Sequence, residues 1–152
     1  MSLKIYELIS IILAALVAGM FSGPWAALSR SMNTFGPDVF LAIVDRMNRN
    51  MAAVMTPLMP ASLLSIVPVL VLSWHTLPRT FYLNLAGLAS FVLALLVTII
   101  VEVPIVEQVV TWTVPTLPDN WEQLRDRWGA FHLVRVAAGL AGFVFLLAGA
   151  IF

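Results

Sequence analysis

The stretch FYLNLAGLASFVLALLVTIIV, residues 81–101, decides the fold. It carries no charge, and its length matches the roughly 20 mostly apolar residues that a helix needs to cross the hydrocarbon of a bilayer. Working outward, three further segments read the same way: 5–22, with Glu7 near its start; 51–74, with no charge; and 131–152, apolar from Val136 onward. The expected fold is all-α, an integral membrane four-helix bundle forming a single transmembrane domain over 1–152. The composition agrees, with 61% hydrophobic and 11% charged residues among 152 and a mean hydropathy of +0.99, far from the balance of a water-soluble domain.

Several function classes fall away at once. Eight Lys and Arg offset eight Asp and Glu with no long basic run, so a phosphate-neutralising surface for nucleic acid is missing. The chain has no cysteine, which removes disulfides, thiolate metal sites and cysteine nucleophiles. A Gly-rich phosphate loop, a Gly-x-Ser-x-Gly elbow and a His-Glu-x-x-His pair are all missing from the sequence.

Between the spans, punctuation residues set the expected boundaries. Lys4 ahead of an apolar run resembles a secretory signal, but the run reaches Phe21 without a small-x-small cleavage site, so it reads as a retained first span. Gly23-Pro24 is expected to close it. Residues 25–50 mix Arg30, Asp38, Asp45, Arg46 and Arg49 with Trp25, Leu28, Phe35, Phe40 and Leu41. With a helix start at Gly36-Pro37-Asp38, 37–50 reads as an amphipathic interfacial helix between spans one and two. Pro57, Pro60 and Pro68 should kink span two. Residues 75–80 read as a turn, and Glu102-Val103-Pro104 as the end of span three.

A polar connection with Pro115 and Pro118 follows. Asp119-Asn120-Trp121-Glu122 has capping-box spacing, so the last helix should start near residue 120. Running to 152, it would be roughly 45 Å long, leaving its first third at the interface. Trp112, Trp121 and Trp128 suit that depth. Arg30, Arg46, Arg49, Arg125 and Arg127 lie on one side, against Lys4 and Arg79 on the other. The positive-inside rule therefore gives a multi-pass protein of a bacterial cytoplasmic (inner) membrane with both termini outside.

The chemistry concentrates on the last helix. Arg125, Trp128, His132 and Arg135 are spaced three, four and three and share one face. Arg135 sits among Leu133, Val134, Val136 and Ala137, where an unpaired charge costs about 2.5–3.5 kcal/mol or more, so it needs a partner. Glu102, which interrupts the end of span three on the same side, is the first candidate and Glu107 the second. Glu102 and Arg135 could instead form a register-fixing ion pair with His132 satisfying a backbone carbonyl. Met47, Met51, Met55 and Met59 make a second stripe that suits a soft ion in principle but reads better as adaptable core filling, so no metal or other cofactor is expected. Asn48 and Asn50 could join a polar pocket or a solvated face.

Three stretches carry a family resemblance: Phe21-Ser-Gly-Pro-Trp-Ala-Ala-Leu-Ser-Arg30, Val101-Glu-Val-Pro-Ile105, and 121–135 with Arg127-Trp128-x3-His132-x2-Arg135. Their order and spacing between four apolar segments resemble the anthrone oxygenase-like family of small membrane proteins. The resemblance implies oxidation of an anthrone-type hydroxyaromatic by molecular oxygen without a recognised cofactor. For that chemistry the candidate catalytic residues are His132 or Glu102 as base and Arg135 as oxyanion clamp. Trp25, Trp128, Arg125 and Asn48 are candidate substrate contacts. The competing class is a non-enzymatic bundle, an accessory or structural subunit of a membrane complex or a homo-oligomer. For it, Gly139, Gly142 and Gly149 offer a smooth face to a partner helix. A carrier or proton relay through Glu102 and Arg135 ranks last, because four spans without broken-helix repeats make a poor transporter.

Overall fold

The structure, a computed structural model, describes residues 2–152. Among them there is no strand, and four helical rods are long and apolar enough to cross a membrane. The chain is a multi-pass membrane protein.

The first rod, α1 (Leu3–Ala27), runs straight through Gly23-Pro24, a correction to the expected break. A proline removes only its own N–H from the ladder. The helix therefore continues one more turn and closes where Leu28 N–H donates to the Pro24 carbonyl at 2.9 Å. A tight 3-10 turn, Ser29–Thr34, reverses the chain.

The next rod, α2 (Pro37–Ser73), is a single helix of 37 residues. The interfacial segment and span two, read separately from their polarity, are thus one element. A change from charged to apolar side chains alters the solvent a helix prefers without breaking its backbone. Pro57, Pro60 and Pro68 all lie inside it. They leave the carbonyls of Ala53, Thr56 and Leu64 without their usual donors.

Span three also outlasts its expected end. Helix α3 (Pro78–Val97) passes through a π-helical turn, Thr98–Glu102, into α4 (Val103–Val109). Pro104 has no N–H for Ile100, and the ladder re-registers just before it: Val103 N–H reaches five residues back to the Thr98 carbonyl. The widened turn places Glu102 inside while Ile99, Ile100 and Val103 face outward.

The last rod is α5 (Trp121–Ile151). The capping box expected at 119–122 is not formed, because the backbone serves the first turn instead. Trp121 N–H donates to Pro118 O at 3.1 Å, and Gln123 and Leu124 N–H to Asn120 O at 3.1 and 3.3 Å. The reciprocal box sits upstream, between Thr113 and Thr116.

Helix α5 packs chiefly on α3 and α1, and α2 covers α1. Two apolar clusters result. One, around Phe21, Met59, Ile66, Phe91 and Leu146, fills the bundle; the other, around Phe40, Val44, Ile105, Val109 and Trp128, closes the arginine-rich end. At the opposite end Lys4 Nζ bridges Glu7 (3.0 Å) and the Ala150 carbonyl (3.0 Å), tying the two chain ends together.

Gly139, Gly142 and Gly149 of α5 face inward rather than toward a foreign helix. A Cβ on Gly139 would lie 2.8 Å from the Phe21 ring, one on Gly149 2.5 Å from Asn84 Nδ2, and one on Gly142 2.8 Å from the Phe91 ring and 3.2 Å from the Gly87 carbonyl. Gly142→Ala should therefore destabilise the bundle by about 1–3 kcal/mol through overpacking, outweighing the roughly 0.5–1 kcal/mol that alanine gains in helix propensity. Gly129→Ala, with nothing within 4 Å, should be neutral or slightly stabilising. Thermal melts of the two variants in detergent check the contrast.

Candidate active site

Three elements build the polar centre. The π turn supplies Thr98 and Glu102, one helical turn apart on the same face. Helix α5 supplies Trp128, His132 and Arg135, which its 3.6-residue period also keeps on one side. Phe21 of α1 completes it, with Arg135 Cζ 4.7 Å from the centre of its ring.

Arg135 organises the group. Its Nη1 pairs with Glu102 Oε2 and donates to Thr98 Oγ1 at 3.3 Å, which itself donates to the Ala94 carbonyl at 2.8 Å. Its Nη2 lies 2.7 Å from His132 Nδ1. Glu102 is 3% exposed and His132 1%, and the imidazole stacks on Trp128 with ring centres 5.3 Å apart and planes 7° from parallel.

That 2.7 Å contact fixes the histidine. A guanidinium has donors and no acceptor, so Nδ1 must present its lone pair to it, and the single proton of a neutral imidazole sits on Nε2. Nε2 has no partner among the described residues, and neither does Glu102 Oε1, which lies 3.5 Å from His132 Nδ1. The site holds one cation, one anion, two N–H donors without a partner, on His132 Nε2 and Arg135 Nε, and one unspent carboxylate oxygen. An isolated ion pair needs neither the imidazole donor nor that oxygen.

All three residues line a cavity of about 430 Å3, within the usual range for a small-molecule site. Met47, Met51, Met55 and Met59 of α2 form one wall. Thioethers are polarizable and suited to lying against an aromatic edge or face. Trp128 and Asn48 also line the cavity.

The structure separates the other expected residues from this centre. Trp25 is outside the cavity, lying near Arg30, whose Cζ is 5.8 Å from its ring centre. Arg125 is buried one stage further toward the interface, bonded to Asp126 Oδ1 at 2.9 Å and held over the Trp121 ring at 5.1 Å. It shares the α5 face but lies seven residues, roughly 10 Å, below His132 along the axis, beyond the Trp128 floor. Glu107 lines the exposed rim and does not pair with Arg135. The sequence reading missed Thr98, whose one available signal was its i, i+4 spacing to Glu102, and Phe21 as the aromatic face under Arg135.

The family model for anthrone oxygenase matches residues 46–145. No curated protein and no solved structure gives a significant match. The matched stretch is about two thirds of the chain and takes in the methionine wall, Thr98, Glu102, Trp128, His132 and Arg135. By this breadth of match the chain belongs to the anthrone oxygenase family.

Proposed function

We propose that this chain oxidises an anthrone-type hydroxyaromatic with molecular oxygen and no resident cofactor, with Glu102 as the base that starts the reaction. The observation that supports this most is that Glu102 and His132 both line a largely apolar cavity and each keeps a polar atom, Oε1 and Nε2, with no partner among the described residues.

The methylene of an anthrone lies opposite its ring carbonyl, so removing a proton there moves charge onto the carbonyl oxygen and makes the central ring aromatic. Glu102 takes that proton. The developing oxyanion accepts a hydrogen bond from His132 Nε2–H, while Arg135 offsets the charge of Glu102 and then of the anion. The electron-rich anion reacts with oxygen at the former methylene carbon. Overall the CH2 becomes C=O: one oxygen atom enters the product, the other leaves as water with both hydrogens, and dioxygen accepts four electrons. The stoichiometry needs no other reductant.

Purified protein in mild detergent should raise oxygen uptake and quinone formation above the autoxidation rate of the same anthrone. A rate unchanged by the protein contradicts the proposal. Within it, His132→Ala should lower kcat/KM by about 10²–10³, the usual loss for one oxyanion donor. His132→Gln, whose amide nitrogen falls near the position of Nε2, should recover a good part of that loss. Equal activities for the two variants would remove Nε2–H from the mechanism.

The same proposal puts the cavity's polar end on the cytoplasmic side of a bacterial inner membrane and both termini outside. The excess of Arg30, Arg46, Arg49 and Arg127 over Lys4 and Arg79 supports it.

A further inference from the structure

Helix α2 offers two neighbouring stripes to the cavity. Met47, Met51 and Met55 are half-buried and Met59 is buried; one position on, Asn48, Ala52, Thr56 and Pro60 line the same cavity and are exposed. Across from them, Val103 (42% exposed) and Glu107 also line the cavity and face outward. A residue that lines the cavity and is exposed on the outer surface marks a mouth. This mouth is a long fissure between α2 and the 98–109 stretch, two elements that touch only sparsely.

Depth decides what lies outside it. Arg49 is the last charge on the α2 rod. Ala52, Thr56 and Pro60 lie roughly 4, 10 and 16 Å beyond it at the helical rise, and the hydrocarbon core is about 30 Å thick. Only the end at Asn48 and Glu107 reaches the polar side. Between them Ala52, Thr56, Pro60 and Val103 offer water only one side-chain hydroxyl and the carbonyl of Thr56. Pro60 gives no N–H to the Thr56 carbonyl, and the short side chains of Ala52 and Thr56 leave the gap unfilled.

We infer that the cavity opens sideways on the hydrocarbon and takes its guest from the bilayer, so that its substrate class is lipid-soluble hydroxyaromatics. The route rests on the oxygenase proposal only for the guest's chemistry. A planar phenolic ring system dissolved among acyl chains reaches the fissure edge-on and slides along the thioether wall. Its central ring meets Glu102 and His132, through methylene and carbonyl respectively, only at the inner end.

The test needs no turnover. In a chain keeping Trp128 alone, with Trp25, Trp74, Trp112 and Trp121 changed to Phe, vesicle lipids brominated at mid-chain should quench most of the emission and iodide in the buffer little of it. Filling the mouth with Ala52→Phe and Thr56→Phe together should cut the bromine quenching roughly threefold or more, because two rings then stand between cavity and lipid. Strong iodide with weak bromine quenching overturns the inference, since the mouth would then open on water. Weak quenching by both, as a second copy seated on the fissure would give, overturns it, as does bromine quenching that the two rings leave unchanged. Should the four-Phe chain fail to fold, the difference between the natural chain and Trp128→Phe supplies the same readout. Lateral quenching without oxygenase activity would sink the oxygenase proposal and leave the route intact; turnover with iodide quenching would do the reverse.

Discussion

Arg135→Ala is expected to be the most destabilising single substitution in the polar centre, by about 3–5 kcal/mol, because it leaves a buried carboxylate uncompensated. Glu102 is 3% exposed, and Arg135 supplies its one close cationic partner. The guanidinium also fills the space over Phe21 and bridges to Thr98 and His132, so packing is lost along with charge. For a chain of this size the melting temperature in detergent should fall by roughly 10 °C. Glu102→Gln with Arg135→Met, which removes both charges and keeps most of the volume, should recover much of that loss, since replacing a buried pair by neutral groups is often tolerated. The exposed pair Asp45–Arg49 gives the contrast: Arg49→Ala should cost less than about 1 kcal/mol, as surface pairs do. If Arg135→Ala melts like Arg49→Ala, the centre is hydrated and the buried site described above does not exist.

Glu102→Gln should have the largest effect on turnover, lowering kcat by about 10²–10⁴, the range for loss of a positioned base. Glutamine keeps the shape of the side chain and can still accept from Arg135 through its amide oxygen. KM should therefore change much less than kcat. Glu102→Asp keeps a carboxylate but withdraws it by one methylene, and a displacement of that size costs on the order of 10². The expected order is Glu, then Asp, then Gln. Full activity in Glu102→Gln would place the base elsewhere, with the rim carboxylate of Glu107 next in reach of the cavity.

The parts of this architecture that were legible in the sequence are those governed by solvation. The uncharged run of 81–101 had to be a span. Glu102 and Arg135, each interrupting an apolar segment at the same depth, had to find each other. The parts that were not legible depend on backbone registration and on distance along an axis. Pro24 and Pro104 look like helix ends, yet a proline withdraws one donor, and the chain can absorb that by closing a turn later or by opening a π turn. Helical spacing correctly put Arg125 on the face of His132, but spacing carries no information on where a cavity stops. Gly139, Gly142 and Gly149 looked like a surface for another helix because small residues mark close contact without naming the partner. The partners are α1 and α3 of the same chain. The sequence left His132 and Glu102 both open as base, and the proposal of Glu102 rests on one contact that spacing does not reveal, the guanidinium at Nδ1.

That contact can be observed directly. In chain labelled with 15N-histidine, with His75 in its exposed turn changed to Gln, the remaining imidazole should show a protonated Nε2 and an unprotonated Nδ1 at neutral pH. A proton on Nδ1, or on both nitrogens, would mean that Arg135 does not hold the ring as described and that Glu102 is not the free base of the site.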